Sequence, residues 1–422
     1  MRKIFKDHRK VICTVAAFAV LATAGFMGVE RFIPKERSLN IVGNKDLAVS
    51  SSVPVENSEA ENNEEKLNID AKAAILIDGT SGEILYGQNE YKHLPPASVT
   101  KVMTLLLVMD GCSSGKISLD DDVTISERAA SMGGSQMYME PGETHKVEEL
   151  LKGVITVSAN DGCVALAEHL SGSVESFVKD MNLKAKEMGL KNSNFVNTNG
   201  LPVADHYSCA YDIGIITTEL MKHEEAHSWF TAWQEDIKVG LPGKESKFTL
   251  TNTNKMVRTY NGAIGGKTGF TQDAGYCLTL AANRENTMLI GVVLGSETSD
   301  IRFKEMARLL DYGFAKYTTV KIADKGDVVK KVNIEKGQVE SINAVTEENI
   351  GLTVARGNEK TVTNKIEIDK KIKLPLKKGD KIGTVTIMEN DKEKAKYNLV
   401  TDRAVKRAGF GITYVRMIKK MI

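Results

Sequence analysis

Ser98 and Lys101 stand one helical turn apart in Ser98-Val99-Thr100-Lys101, directly after Pro95-Pro96-Ala97. That spacing turns both side chains the same way, so the Lys101 amine can reach the Ser98 hydroxyl. A serine hydroxyl needs a base to take its proton. A lysine stripped of water near other cations can be neutral and serve as that base. The spacing alone is cheap, because Ser113-Ser114-Gly115-Lys116 and Ser176-Phe177-Val178-Lys179 repeat it and both read as surface segments. Two companions give it weight. Ser158-Ala159-Asn160 ends an apolar stretch, and Gly266-Lys267-Thr268-Gly269 precedes a strand. S-x-N also recurs at Ser38-Leu39-Asn40 and Ser341-Ile342-Asn343, whereas K-T-G occurs once. Together and in this order, S-x-x-K, S-x-N and K-T-G point to acyl transfer through a serine.

The elements that must bring these motifs together are readable in outline. Ala73 to Ile77 and Glu83 to Tyr86 are short apolar strands about Asp78-Gly79-Thr80-Ser81-Gly82, a hairpin signal. Val99, Val102, Met103, Leu106 and Leu107 fall at helical spacing after the two prolines. A further helix is expected from Val147 to Ser171. A second hairpin pairs Tyr276 to Ala282 with Met288 to Leu294 across Asn283-Arg284-Glu285-Asn286, and Arg302 to Phe314 reads as a charged amphipathic helix. Strands at both ends with helices between predict an α/β sandwich over 67–317, its sheet closed by the chain's return. Over 318–400, Val328 to Val332, Ile350 to Val354, Val362 to Ile368 and Lys381 to Ile387 are β-branched runs separated by Gly, Asn and Asp. They predict a small all-β domain, to which no chemistry is assigned.

With these motifs the chain resembles the low-molecular-mass penicillin-binding proteins, the serine-type D-alanyl-D-alanine carboxypeptidases of peptidase family S11. The likeness runs from about Ile69 to the C-terminus. It includes Pro96-Ala97-Ser98-Val99-Thr100-Lys101-Val102-Met103-Thr104, Ser158-Ala159-Asn160-Asp161 and Gly266-Lys267-Thr268-Gly269-Phe270-Thr271. It also takes in Asn199-Gly200-Leu201, His206-Tyr207-Ser208 with Asp212, and Ala274-Gly275-Tyr276-Cys277-Leu278; Cys209 stands where the family often has threonine. The resemblance implies the β-lactamase/transpeptidase-like sandwich, an antiparallel sheet flanked by helices, with a small all-β C-terminal domain. It implies that Ser98 attacks the carbonyl between two D-alanines while Lys101 takes its proton. Ser158 would relay a proton to the leaving amine, and Asn160 would orient the substrate amide and Lys101. Lys267, Thr268, Gly269 and Phe270 would bind the substrate, the first two holding its terminal carboxylate and Lys267 setting the field around Ser158. Arg302 matches a family arginine that helps bind that carboxylate, although a solvated helix charge fits it as well. The backbone amides of Ser98 and Phe270 would form an oxyanion hole, each such donor worth ~10²–10³ in rate. The implied partners are peptidoglycan peptides ending in D-Ala-D-Ala, with β-lactams as covalent inhibitors and no cofactor.

Other classes meet specific objections. A β-lactamase needs a glutamate-held water, and no Glu-x-x-Leu-Asn lies between Asn160 and Lys267. A β-lactam sensor needs a signalling partner, and the short basic start leaves no room for a cytoplasmic domain. His223-Glu224-Glu225-Ala226-His227 spells the zinc-peptidase pattern H-E-x-x-H, with Glu245 downstream as a possible third ligand. Lys222 and Glu225 flank those ligands with charge, which suits a solvated helix better than a metal site.

Net charge is +1 with 26% charged residues, so no basic excess suggests nucleic acid. Over 1–30, Arg2, Lys3, Lys6, Arg9 and Lys10 precede an apolar run from Val11 to Val29, with Ala22-Thr23-Ala24 as a cleavage site. The segment reads as a removable export signal or an uncleaved anchor, and both place the body outside the cytoplasm. Over 31–66 the polar run around Glu56-Asn57-Ser58-Glu59 reads as a disordered linker. The five cysteines lack any C-x-x-C pairing and read as free thiols. In 401–422, Ile412, Val415, Ile418 and Ile422 recur at helical spacing beside Arg403, Lys406, Arg407, Arg416, Lys419 and Lys420. A basic amphipathic helix of this kind lies at a membrane surface, here the outer face of a bacterial cell membrane.

Overall fold

The computed structural model describes residues 67–421; the expected export segment at 1–30 and the expected linker at 31–66 lie outside them. The chain opens with strands β1 (Ala73–Asp78) and β2 (Ile84–Gln88), and returns through β3 (Ala263–Thr271), β4 (Gly275–Arg284) and β5 (Thr287–Ser296). These form one antiparallel sheet in the order β2-β1-β5-β4-β3, with Ala73 opposite Leu294 and Asp78 opposite Leu289. The expected closure of the sheet by the returning chain is present.

Every residue of β1 is buried, because both faces of the sheet are covered. Alternate side chains go to opposite sides. Ala74 and Leu76 join Leu280, Leu289 and Val293 under Met306, Leu309, Leu310 and Phe314 of one helix, which spans Ser299–Lys316. Ala73, Ile75 and Ile77 join Ile290 and Val292 against Val102, Met103, Leu106, Ile213 and Ile216 of the helical layer. Each fully buried Leu or Ile stabilises by roughly 1.5–3 kcal/mol, so the two faces lock the register of β1.

The helical layer comprises α1 (Lys101–Ser113), α2 (Val147–Thr156), α3 (Asn160–Ser171), α4 (Val174–Glu187) and α5 (Ala210–Leu220); the helix Ser299–Lys316 on the other face is α6. The single helix expected from Val147 to Ser171 is in fact two, α2 and α3. Ser158 has φ 65°, in the left-handed region, and one such residue ends an α-helix. The S-x-N motif occupies that break. Cys209, at the threonine position, accepts from the Asp212 amide at 3.3 Å and caps α5 as threonine would.

Immediately after α6 the second domain starts with β6 (Tyr317–Ala323), followed by β7 (Val328–Asn333), β8 (Ser341–Thr346), β9 (Ile350–Ala355), β10 (Val362–Ile368), β11 (Lys381–Glu389) and β12 (Lys392–Thr401). A five-stranded sheet, β7-β8-β12-β11-β10, and the pair β6-β9 enclose Ile342, Ala344, Leu352, Val354, Ile382, Ile387 and Leu399. Val405 is buried and bridges Leu376, and Arg407 bridges Gly337, so this domain continues past the expected boundary at 400. Its junction with the first domain is bonded: Thr319 N–H donates to Thr287 Oγ1 at 2.8 Å and Arg356 Nε donates to the Phe314 carbonyl at 3.0 Å. The last helix, α7 (Phe410–Met421), carries Phe410, Tyr414 and Met417 exposed by 87%, 57% and 59%. Ile412, Val415 and Ile418, the expected apolar face, are exposed as well, so that face is not packed on the β domain. Arg416, off that apolar face of the helix, donates to the Gly337 carbonyl at 2.7 Å. Among the described residues no helix is long and apolar enough to cross a membrane.

Candidate active site

Residues Ala97–Thr100 form a single 3-10 turn that leads into α1, with Ala97 at φ 49°. This strained turn presents Ser98, half-buried, above Lys101, which is wholly buried. Lys101 Nζ lies 2.8 Å from Ser98 Oγ and donates to Asn160 Oδ1 at 2.8 Å and to the Asn199 carbonyl at 2.9 Å. A neutral amine has two N–H bonds and one lone pair. With both N–H bonds taken by these two oxygens, the lone pair faces Ser98 Oγ. Burial lowers the Lys101 pKa to about 8, with Cys163 and Asp161 pulling weakly the other way.

Asn160 is itself held. Its Nδ2 donates to the Gly133 carbonyl at 2.7 Å, and its backbone N–H to the Ser135 carbonyl at 2.8 Å. The neighbouring Asp161 carboxylate accepts from the backbone N–H groups of Met137 at 2.9 Å and Tyr138 at 3.0 Å. These contacts fix the 133–138 loop beside the site. The positive φ of Ser158 aims its hydroxyl inward, where Oγ is buried and has no hydrogen-bond partner among the described residues. A buried hydroxyl left unpaired by the protein is open to a bound ligand.

Strand β3 forms the facing edge. Lys267 is buried, and its pKa falls well below the usual lysine value, through burial first and then the nearby charges of Lys101 and Arg302. Thr268 Oγ1 is 2.8 Å from Thr253 Oγ1. A Cβ at Gly269 would come within 3.0 Å of the backbone nitrogens of Ser98 and Val99, so only glycine lets β3 approach the nucleophile's turn this closely. Phe270 is half-exposed and packs on Tyr276 with ring centroids 4.3 Å apart. Arg302 is not a solvated helix charge. It is 6% exposed, and its Nη1 donates to the carbonyls of Gly269 and Cys277, each at 3.2 Å, from behind the strand.

Hydrogen bonds join Ser98, Lys101 and Asn160, Gly269 packs on the turn that carries Ser98, Lys267 lies near enough to Lys101 to feel its charge, and Arg302 buttresses Gly269. The structure adds the Asn199 carbonyl, which side-chain reasoning passed over. Gly200 beside it has φ 83°, and a Cβ there would lie 1.7 Å from the Ala97 carbonyl oxygen, so the Asn-Gly pair was the available signal.

The H-E-x-x-H segment does not form a helix. His223 is outside helical geometry, Glu224–Ala226 make one 3-10 turn, and a short helix starts only at His227. His223 Nε2 pairs with Asp110 at 3.1 Å and His227 Nε2 with the Met221 carbonyl at 2.9 Å, so the two imidazoles serve different partners. Glu245 accepts from the Gly243 N–H. Among the described residues no cluster could hold a metal ion. Cys163, Cys209 and Cys277 are buried and Cys112 half-buried, all as free thiols.

A serine activated by a buried lysine, opposite a K-T-G strand on an antiparallel sheet, defines the class of serine acyl-transfer enzymes. Residues 59–298 match the model of peptidase family S11, D-alanyl-D-alanine carboxypeptidase, and residues 317–407 match the C-terminal domain of penicillin-binding protein 5. The chain belongs to the D-alanyl-D-alanine carboxypeptidase family S11. Over 348 residues it is 40% identical to D-alanyl-D-alanine carboxypeptidase DacF of Bacillus subtilis, covering 82% of this chain and 88% of that one. It is 33% identical over 359 residues to DacC of Escherichia coli, covering 83% and 88%. Among solved structures, penicillin-binding protein 5 of Haemophilus influenzae superposes with a TM-score of 0.63 at 33% identity, covering 81% of this chain and 98% of that one.

Proposed function

We propose that this protein removes the terminal D-alanine from peptidoglycan stem peptides ending in D-Ala-D-Ala, through an acyl-enzyme on Ser98. The observation that carries the reading is the buried Lys101 amine, held by Asn160 and Asn199 with its remaining position on Ser98 Oγ. Lys101 takes the Ser98 proton as the oxygen adds to the penultimate carbonyl. The oxyanion faces the Ser98 and Phe270 amides. Ser158 Oγ passes a proton to the departing amine, and D-alanine leaves. Water then cleaves the ester, which frees the shortened peptide and restores the Ser98 hydroxyl. Lys267 and Thr268 hold the substrate's carboxylate, and Arg302 supports them through the Gly269 carbonyl. β-Lactams enter by the same attack and remain as the ester. The test is D-alanine release from a peptide ending in D-Ala-D-Ala, together with peptide mapping of the protein after penicillin. Release blocked by penicillin, with the added mass on Ser98, is expected. A mass on another residue, or none, overturns the assignment.

We further propose that the enzyme works outside the cytoplasm, held to the outer face of the membrane by α7. The exposed Ile412, Val415 and Ile418 on the expected apolar face, with Phe410, Tyr414 and Met417 exposed beside them, support this reading. Deletion from Gly409 onward, in a protein that also lacks Met1 to Ala24, leaves the buried Val405 in place. Full-length α7 is expected to bind anionic liposomes in a salt-sensitive way and the deletion to lose that binding. Equal binding by both would refute the anchor.

A further inference from the structure

We infer that His206 is a positioning residue for acylation: its ring clasps both ends of the 196–206 loop to Thr100 and so holds the Asn199 carbonyl on Lys101. The inference rests on the acyl-enzyme reading above.

The Val196 backbone N–H donates to His206 Nδ1 at 3.0 Å, and His206 Nε2 lies 2.8 Å from Thr100 Oγ1. A backbone amide only donates, so Nδ1 is the unprotonated nitrogen and Nε2–H points at the threonine oxygen. The neutral Nε2–H tautomer alone satisfies both contacts. The surroundings agree with a neutral ring. His206 is 7% exposed, lies edge-on to Phe195 at 6.0 Å, and burial pulls its pKa down to about 4.

Between the clasped ends, the loop is folded on itself. Asn197 Oδ1 accepts from the Gly200 N–H at 2.7 Å, and Asn197 Nδ2 donates to the Leu201 carbonyl at 2.8 Å. Thr100, Lys101 and Thr104 then bond to this one loop, Thr104 through the Thr198 carbonyl at 2.6 Å. The start of α1 and the loop are thereby one unit. The loop also borders a cavity of about 390 Å³ lined by Pro95, Leu201, Val203, His206 and Thr271, and its base is closed separately by the Asn194–Tyr207 bridge, so within the loop the link to the turn before α1 runs through His206 and Thr100. Releasing the clasp lets the Asn199 oxygen drift from Lys101 Nζ, and the lone pair then no longer faces Ser98. A misplacement of about 1 Å at a reacting centre can cost ~10²-fold in rate.

Two variants test this, His206→Leu and His206→Gln, each checked for folding by its melting temperature. Leucine fills the space without polar atoms; glutamine offers one donor and one acceptor. The acylation rate constant with penicillin is expected to fall about 10- to 100-fold in H206L, with KM for the D-Ala-D-Ala peptide nearly unchanged, and to recover in H206Q. Nitrogen-15 NMR of the wild-type protein is expected to show the proton on Nε2. A folded H206L that acylates at the wild-type rate, equal losses in both variants, or a proton on Nδ1 overturns the inference. A wild-type protein that penicillin does not acylate sinks the underlying reading instead.

Discussion

Ser98→Ala is expected to leave no penicillin adduct and to cut D-alanine release by a factor on the order of 10⁶, as loss of a serine nucleophile does elsewhere. The size follows from the role. Without Oγ no ester can form, and only substrate binding and oxyanion stabilisation remain. The fold should survive, because Ser98 is half-buried and its Oγ is tied to the protein through the Lys101 amine. Intact-protein mass after penicillin exposure reads the first effect, and D-alanine assay the second. Ser158→Ala is the control, since that variant still carries the attacking oxygen and should form the adduct slowly. An adduct that persists in Ser98→Ala at the wild-type rate removes Ser98 from the mechanism.

Lys101→Met is expected to lower acylation by about 10²–10⁴-fold, the usual worth of a positioned general base. The wild-type rate should also fall with acidity in a defined direction. With the Lys101 pKa brought to about 8 by burial, the protonated amine dominates below that pH and has no lone pair for the Ser98 proton. Acylation should therefore drop about tenfold per pH unit below 8 and level off above it. Lys101→Arg should be as poor as Lys101→Met, because a guanidinium stays charged across this range. A rate that holds flat from pH 8 to pH 6 would assign the proton to another base.

The candidate catalytic side chains were legible because the proposed chemistry restricts the residue type. Ser98, Lys101, Ser158, Asn160, Lys267 and Thr268 could be picked from the chain for that reason. Groups that act through the backbone were not. The Asn199 carbonyl acts as a main-chain oxygen; Ser158 was named from its motif, but the positive φ at that position is not announced by Val157-Ser158-Ala159. For Arg302 the sequence left a carboxylate contact and a solvated helix charge both open, and packing buries it behind Gly269. H-E-x-x-H erred in the opposite sense: the letters were right and the helix they require was absent. The returning sheet was foreseen from two strong apolar hairpins. Strand β12 was missed because Lys392-Glu393-Lys394-Ala395-Lys396 carries charge on its outer positions and buries little before Leu399.

The pairing of Ala73 with Leu294 bears on how the protein is made. A ribosome delivers Ser98 and Lys101 early, together with β1 and β2, but β1 then lacks its partner β5 and must wait with one edge unpaired. Contacts so distant in the chain form slowly, since loop closure precedes any gain from them. A nascent or truncated chain that stops before Ser296 holds the nucleophile with no completed sheet, and one that stops before Lys267 also lacks its carboxylate-binding edge. Penicillin should ignore such fragments. Capacity for labelling would then report the fraction of chains whose final hairpin has docked, making the inhibitor a gauge of finished folding as well as of enzyme.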